Sequence, residues 1–175
     1  MWREGEPSGP DYVFFQSGFV TKFRRRSVLT EALAMFSGLG YRVVTVDAGN
    51  WASEDDLHDD VAAALDFPSY YGRNFDALND CLSDVSQVAY GWTSADTGLV
   101  LVIDNIDAFW AEKPEAGFLL FDIFSSNART AALFGNRMAC LVRSDDPWFD
   151  PKPVGAEDVQ WNRVEWLNSA REGEL

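Results

Sequence analysis

Three carboxylates, Asp76, Asp80 and Asp84, follow one another at intervals of four residues, the spacing that stacks side chains along one side of an α-helix. Carboxylates one turn apart can form an acid/base pair for glycoside hydrolysis, supply oxygen ligands for a hard cation, or stand as the unpaired anions of a binding face. Acid/base work needs an enclosed pocket that splits two pKa values, and adjacent turns of one exposed helix seldom create it. In the same stretch Phe75, Leu78, Leu82 and Val85 recur at three- and four-residue spacing, which predicts an apolar stripe on the opposite side. The helix therefore has a core face and an acidic face, and no basic residue of its own can neutralise the latter. Asp76, second after a cap at Asn74, is placed to oppose the helix dipole. Asp80 and Asp84 lie beyond the first turn and need another compensation, from solvent or from a partner.

Other chemistries lack their parts. LVLVID, with Asp107 three residues past Asp104, looks like the acidic strand end of a nucleotide hydrolase, but no G-x-x-x-x-G-K-[ST] phosphate loop accompanies it. One histidine and two distant cysteines cannot supply the usual zinc ligand sets. His58 is expected at the surface, because no partner that would tune it is evident nearby. Cys81, in a helix, and Cys140, in a strand, read as buried thiols. No catalytic residue, metal ligand or cofactor is assigned, and the chain is read as a non-enzyme.

Charge points the same way. The net charge is -14, yet 47% of residues are apolar and 14% aromatic, which argues for a folded protein with an acidic surface. Residues 43 to 112 hold 14 of the 28 acids and one of the 14 basic residues, Arg73. Such a surface repels nucleic acid and anionic membranes and attracts cationic proteins, at a rate that falls with salt. No run of 18 apolar residues occurs, and MWREGEPSGPDY lacks the apolar core of a signal peptide, so a soluble cytoplasmic protein is expected.

The elements that must position the acidic helix follow from periodicity. Residues 1 to 11 read as a mobile arm, and Val13 to Val20 as a strand. The basic cluster Lys22, Arg24, Arg25 and Arg26, read as a solvated face, leads into a helix from Ser27 to Ser37 with Gly38 as its stop. Tyr41 to Asp47 is a β-branched strand. A helix capped by Ser53 carries Glu54, Asp55 and Asp56 in its first turn and ends near Asp66, ahead of Pro68. Leu99 to Ile103 is apolar throughout and so covered on both faces. A helix from Phe118 to Ala132, with Leu119, Ile123 and Phe124 inward, and a strand from Met138 to Val142 follow. The tail VQWNRVEWLNSA reads as a strand running into a helix, or as a single helix. Strands alternating with helices predict an α/β domain with a largely parallel sheet.

The segment FPSYYGRNFDALNDCLSD resembles the motif of the barstar family of intracellular ribonuclease inhibitors. The order strand, helix, motif helix, strand, helix, strand over Tyr41 to Val142 resembles that family as well. The resemblance implies a barstar-like α/β fold for a core of about 41–142; the length suits one domain over residues 1–175, and an N-terminal strand and helix extension over 1–40 and a C-terminal extension over 143–175 lie outside the resemblance. These extensions are expected to add sheet edges or a second contact surface. It further implies that the helix and the turn before it cover a cationic ribonuclease active site, where arginine and lysine groups built for phosphate also hold carboxylate. Contact roles are implied for Tyr70, Gly72, Asn74, Asp76 and Asp80, with Asp80 foremost, and Asn79 and Asp84 complete the candidate partner-binding face.

Three departures stand out: Asn79 replaces a family tryptophan, Val85 stands where another would be, and Ser126 occupies the place of an acidic contact. The expected partner is therefore a cationic ribonuclease or ribonuclease toxin other than barnase, with this chain as its inhibitor or immunity protein. The alternative is an acidic interaction module for a non-ribonuclease toxin or a nucleic-acid-binding regulator.

Overall fold

A computed structural model describes residues 9–16 and 18–171 of the 175. Five strands form one sheet in the order β2-β3-β4-β1-β5, where β1 is Val20–Phe23, β2 Arg42–Asp47, β3 Leu99–Asp104, β4 Met138–Arg143 and β5 Gln160–Trp161. Every pairing is parallel. The chain is thus α/β with a parallel sheet, as the alternation of strands and helices predicts, and this is consistent with the barstar-like fold that the motif's resemblance implies.

Parallel neighbours need crossover helices, and these cover both faces. On one face lies α1 (Arg26–Gly38), packed on Phe23, Val100, Val102 and Leu141. On the other lie α2 (Glu54–Ala64), α3 (Phe75–Ser86) and α5 (Pro114–Leu133), packed on Leu99, Leu101, Ile103, Cys140 and Val142. Alternate residues of β3 enter opposite cores, so all six of its residues are buried. A short α4 (Asp107–Glu112) precedes α5, and a four-residue α6 (Asn168–Arg171) follows a 3-10 turn at Arg163–Glu165.

The first strand differs from expectation. Val13 to Val20 is not a strand: Pro10–Phe14 forms a 3-10 turn, Gly18 takes φ 117°, and pairing begins only at Val20. Phe14 of that turn packs on Phe36, ring centroids 4.9 Å apart. Residues 1–8 of the expected arm lie outside the described residues, but Asp11 is buried, accepting from Tyr41 Oη and Arg137 Nη1. Gly38 is the last residue of α1 rather than its stop, and the left-handed turn falls at Gly40, φ 81°. In α5 it is Leu120 and Phe121, with Phe124, that are fully buried, whereas Leu119 is exposed.

Of the basic cluster only Arg26 is solvated. Lys22 is buried, donating to the Phe149 carbonyl (3.0 Å) and Asp150 (2.9 Å). Arg24 is buried, Arg25 pairs with Glu165 (3.1 Å) and Arg26 with Asp104 (2.7 Å). The Asp104 carboxylate also takes Arg143. Burial alone would raise its pKa, but the hydrogen bonds from Arg143 and Arg26 outweigh that and hold it below the usual carboxylate range. The acidic strand end suspected of nucleotide chemistry is therefore an internal ion-pair network at the carboxyl ends of β3 and β4, with Asp107 receiving Ser144 Oγ and the Asp145 amide.

Both extensions join the sheet. β1 pairs with β4, and β5, from the C-terminal tail, pairs with β1 as an edge. The tail is a strand running into short helical turns.

Candidate functional site

Helix α3 is amphipathic for the reason its spacing gives. Leu78, Leu82 and Val85 are fully buried, and Phe75 packs partly against the same core. Asn74 caps the helix, its Oδ1 accepting from the Ala77 amide at 2.9 Å, while its Nδ2 donates to the Gly72 carbonyl at 3.1 Å. That pair closes the turn tightly: a Cβ at Gly72 would lie 3.1 Å from Asn74 Nδ2 and 3.4 Å from Ala77 Cβ.

The outward side carries the acids. Asp76 and Asp80 are exposed, and no hydrogen bond or ion pair reaches either from the described residues. The cations that could have compensated them are held elsewhere: besides the cluster above, Lys113 faces Glu54, Arg129 binds Glu157 and Arg143 binds Asp104 and Asp145. Asp76 sits in the first turn, where the dipole favours it. Asp80 stands one turn further on, with no such compensation.

Asp84 is different. It is half-buried, and Tyr90 Oη, which also donates to the Cys81 carbonyl at 3.1 Å, lies 3.3 Å from its Oδ2. It therefore has a hydrogen-bond donor within the fold, which the helix spacing alone does not reveal. Asn79 is exposed but engaged: its Oδ1 accepts from Asn127 Nδ2 of α5 at 3.0 Å, fastening α3 to α5. Ser126 lies on the exposed side of α5.

Ahead of the helix, Tyr70 projects into solvent with 79% of its surface exposed, among the most exposed large apolar side chains of the described residues. Its neighbour Tyr71 points the other way. Tyr71 Oη and His58 Nδ1 share a hydrogen bond of 2.6 Å, and the two rings meet edge to face. His58 is thus no surface residue. It is 2% exposed, wedged between Tyr71 and Phe75, and the expectation failed because its partner lies 13 residues away across the turn. Burial lowers the pKa of its ring, partly offset by Glu54 and Asp55, and burial raises that of Tyr71.

The residues brought together are therefore Tyr70, Gly72, Asn74, Asp76 and Asp80 on one open face, with Asn79 and Asp84 tied into its flanks. Arg73, which composition alone singles out as the lone cation of the acidic middle, sits inside the turn and binds Asp59 of α2 at 2.7 Å.

A family model described as Barstar (barnase inhibitor) matches residues 41–143, more than half of the chain. The chain belongs to the barstar family. The match runs from the residue before β2 to the end of β4 and includes the whole of α2, the turn and α3, while β1, α1 and β5 fall outside it. A relative from Bacillus subtilis (strain 168), named "Putative ribonuclease inhibitor YrdF", is 42% identical over 66 residues, which is 38% of this chain. The matched part spans 63% of that relative's length. Within this barstar chain, no group of three or more His, Cys, Asp or Glu side chains among the described residues is placed to hold a metal ion, and no described helix is long and apolar enough to cross a membrane.

Proposed function

We propose that this barstar-family chain inhibits a cationic ribonuclease by laying α3 and the Tyr70–Asn74 turn across its active site. The observation that carries the reading is the exposed pair Asp76 and Asp80, of which Asp80 lacks even the dipole's compensation, on a helix whose opposite face is locked into the core. Two carboxylates one turn apart sit about 6 Å apart along the helix axis, a spacing that suits cationic groups arranged for successive phosphates. Arginine holds carboxylate and phosphate with the same planar fork. Tyr70 supplies a rigid, exposed ring of the type enriched at interface centres. The family membership and the name of the Bacillus subtilis relative support the same reading.

The chain then contributes no chemistry of its own. It excludes substrate by occupying the phosphate-binding groups, as an immunity protein would for a ribonuclease toxin. Ser126, without charge, makes α5 a weaker electrostatic contributor than α3, and Asn79 of α3 is turned onto Asn127; both features favour a target other than barnase.

The test is a titration of the purified chain into RNA-cleavage assays with a panel of cationic ribonucleases, barnase included. Activity of at least one is expected to fall to zero at one equivalent, with an association rate that declines as salt is added. A chain that leaves every ribonuclease active while binding a toxin or regulator of another kind would overturn the reading in favour of an acidic interaction module.

A further inference from the structure

Arg73 is out of place on a face that would meet a cationic partner. It is the one basic residue between positions 43 and 112, and it lies within the turn Tyr70–Asn74. Its backbone is strained as well, with φ 51°, a region that side-chain-bearing residues enter at a cost. Something local must hold it there.

Its guanidinium supplies the hold. Nη2 donates to Asp59 Oδ2 at 2.7 Å and approaches the Asp55 carbonyl at 3.5 Å, both on α2. Asp59 is the neighbour of His58, which grips Tyr71 from below. Two adjacent residues of α2 thus hold two positions of the turn: His58 under Tyr71 in the interior, Asp59 over Arg73 at the surface. Tyr70, just before the first anchor, and Gly72, between the two, are presented outward, and Asn74 caps α3.

We infer that Arg73 is a positioning residue for the presented turn, acting through Asp59. The pair does two things. It ties the outer edge of the turn to α2, so that the strained backbone at Arg73 is retained, and it keeps the guanidinium folded against a carboxylate instead of reaching toward the partner. The inference rests on the inhibitor reading for the importance of the turn, but the state of the turn is measurable in the free protein.

The experiment is amide hydrogen exchange by NMR on the free full chain, followed at two reporters. The Tyr71 amide donates to the Pro68 carbonyl at 2.9 Å, and the Ala77 amide donates to Asn74 Oδ1 at 2.9 Å. Exposed ion pairs of this kind are worth a fraction of a kcal/mol to about 1 kcal/mol, so Asp59→Asn and Arg73→Ala are each expected to speed exchange at both reporters about two- to fivefold. The double variant should go no further than either single one, because the two side chains act as a unit. Exchanging the charges, Asp59→Arg with Arg73→Asp, should return both amides toward the parent rate. Asp55→Asn is the control: it removes the same charge from the same helix, yet it keeps the carbonyl that Arg73 approaches, and it should leave the reporters unchanged. Amides of β3 should not move in any variant.

Unchanged reporters in both single variants, an equal rise in Asp55→Asn, or additive effects in the double variant would overturn the inference. Failure of every ribonuclease to respond to the chain would defeat the inhibitor reading while leaving these exchange rates as they are, so the two failures are distinct.

Discussion

Replacing Glu165 by alanine should destabilise the whole chain, although Glu165 lies far outside the segment that matches the barstar family. Its carboxylate is completely buried and accepts three hydrogen bonds: from the Arg24 amide (2.9 Å), the Arg25 amide (2.9 Å) and Arg25 Nε (3.1 Å). Arg25 is the N-cap of α1 and provides no side-chain cap of its own. The orphan amides at the end of β1 and the start of α1 are therefore satisfied by a carboxylate from 140 residues further along. Alanine would leave two amides without acceptors and one guanidinium without its counterion. Breaking a buried pair in this way costs about 3–5 kcal/mol. At about 2–4 °C per kcal/mol for a chain of this size, the melting temperature should fall by about 6–20 °C. Thermal unfolding followed by circular dichroism measures it, and Glu165→Gln, which keeps one carbonyl acceptor, should fall between the parent and the alanine variant. Below both melting temperatures, inhibition through α3 should be unaltered. An alanine variant that melts within about 2 °C of the parent would refute the reasoning, and would mean that the tail is an appendage and not part of the packed unit.

Other outcomes follow from named contacts. Because burial depresses the His58 pKa, the unfolded chain binds a proton there before the folded chain does. Stability should therefore decline as pH falls below the ordinary histidine value of about 6.5, and urea titrations of His58→Gln should lack that component of the slope. Asp66 is exposed at φ 55°, just past the end of α2, where glycine is the unstrained choice. Asp66→Gly should gain about 0.5–1 kcal/mol, read as a higher urea midpoint at unchanged slope. Asn79→Ala removes the acceptor for Asn127 Nδ2, which retains the Ile123 carbonyl at 2.9 Å, and should cost about 1 kcal/mol by the same titration.

What could be read from the sequence was what lies close together along the chain. β3 was legible because six consecutive apolar or terminal positions need cover on both faces, and α3 because its two stripes have helical spacing and Asn74 stands at its start. The first strand was misplaced because Val13 to Phe15 is as apolar as a strand, yet Phe14 serves a 3-10 turn, and the true strand runs through Lys22, whose charge disguises a buried position. Lys22, Arg25 and Arg26 find their partners 78 to 140 residues away, a distance at which local pattern is blind. His58 was misread for the same reason at shorter range. The exposure of Asp76 and Asp80 was legible in the helix spacing, whereas the tie of Asp84 to Tyr90 was not. The supports of the site on α2 were not legible either, because Asp59 and Arg73 are neighbours only after the turn has folded back.

The central claim is that Asp80 is a specific contact and not one charge among many. The decisive measurement is the dissociation constant of an inhibited ribonuclease for Asp80→Ala beside Asp55→Ala, two variants that lose the same charge. Truncating a desolvated interfacial charge typically costs about 2–5 kcal/mol, a range set by protein–protein charge pairs, the barnase–barstar pair among them. Asp80→Ala should accordingly weaken binding about 30-fold or more, while Asp55→Ala, exposed on α2, should weaken it less than about fivefold. Equal, small losses from both would contradict the account and leave only diffuse electrostatic attraction.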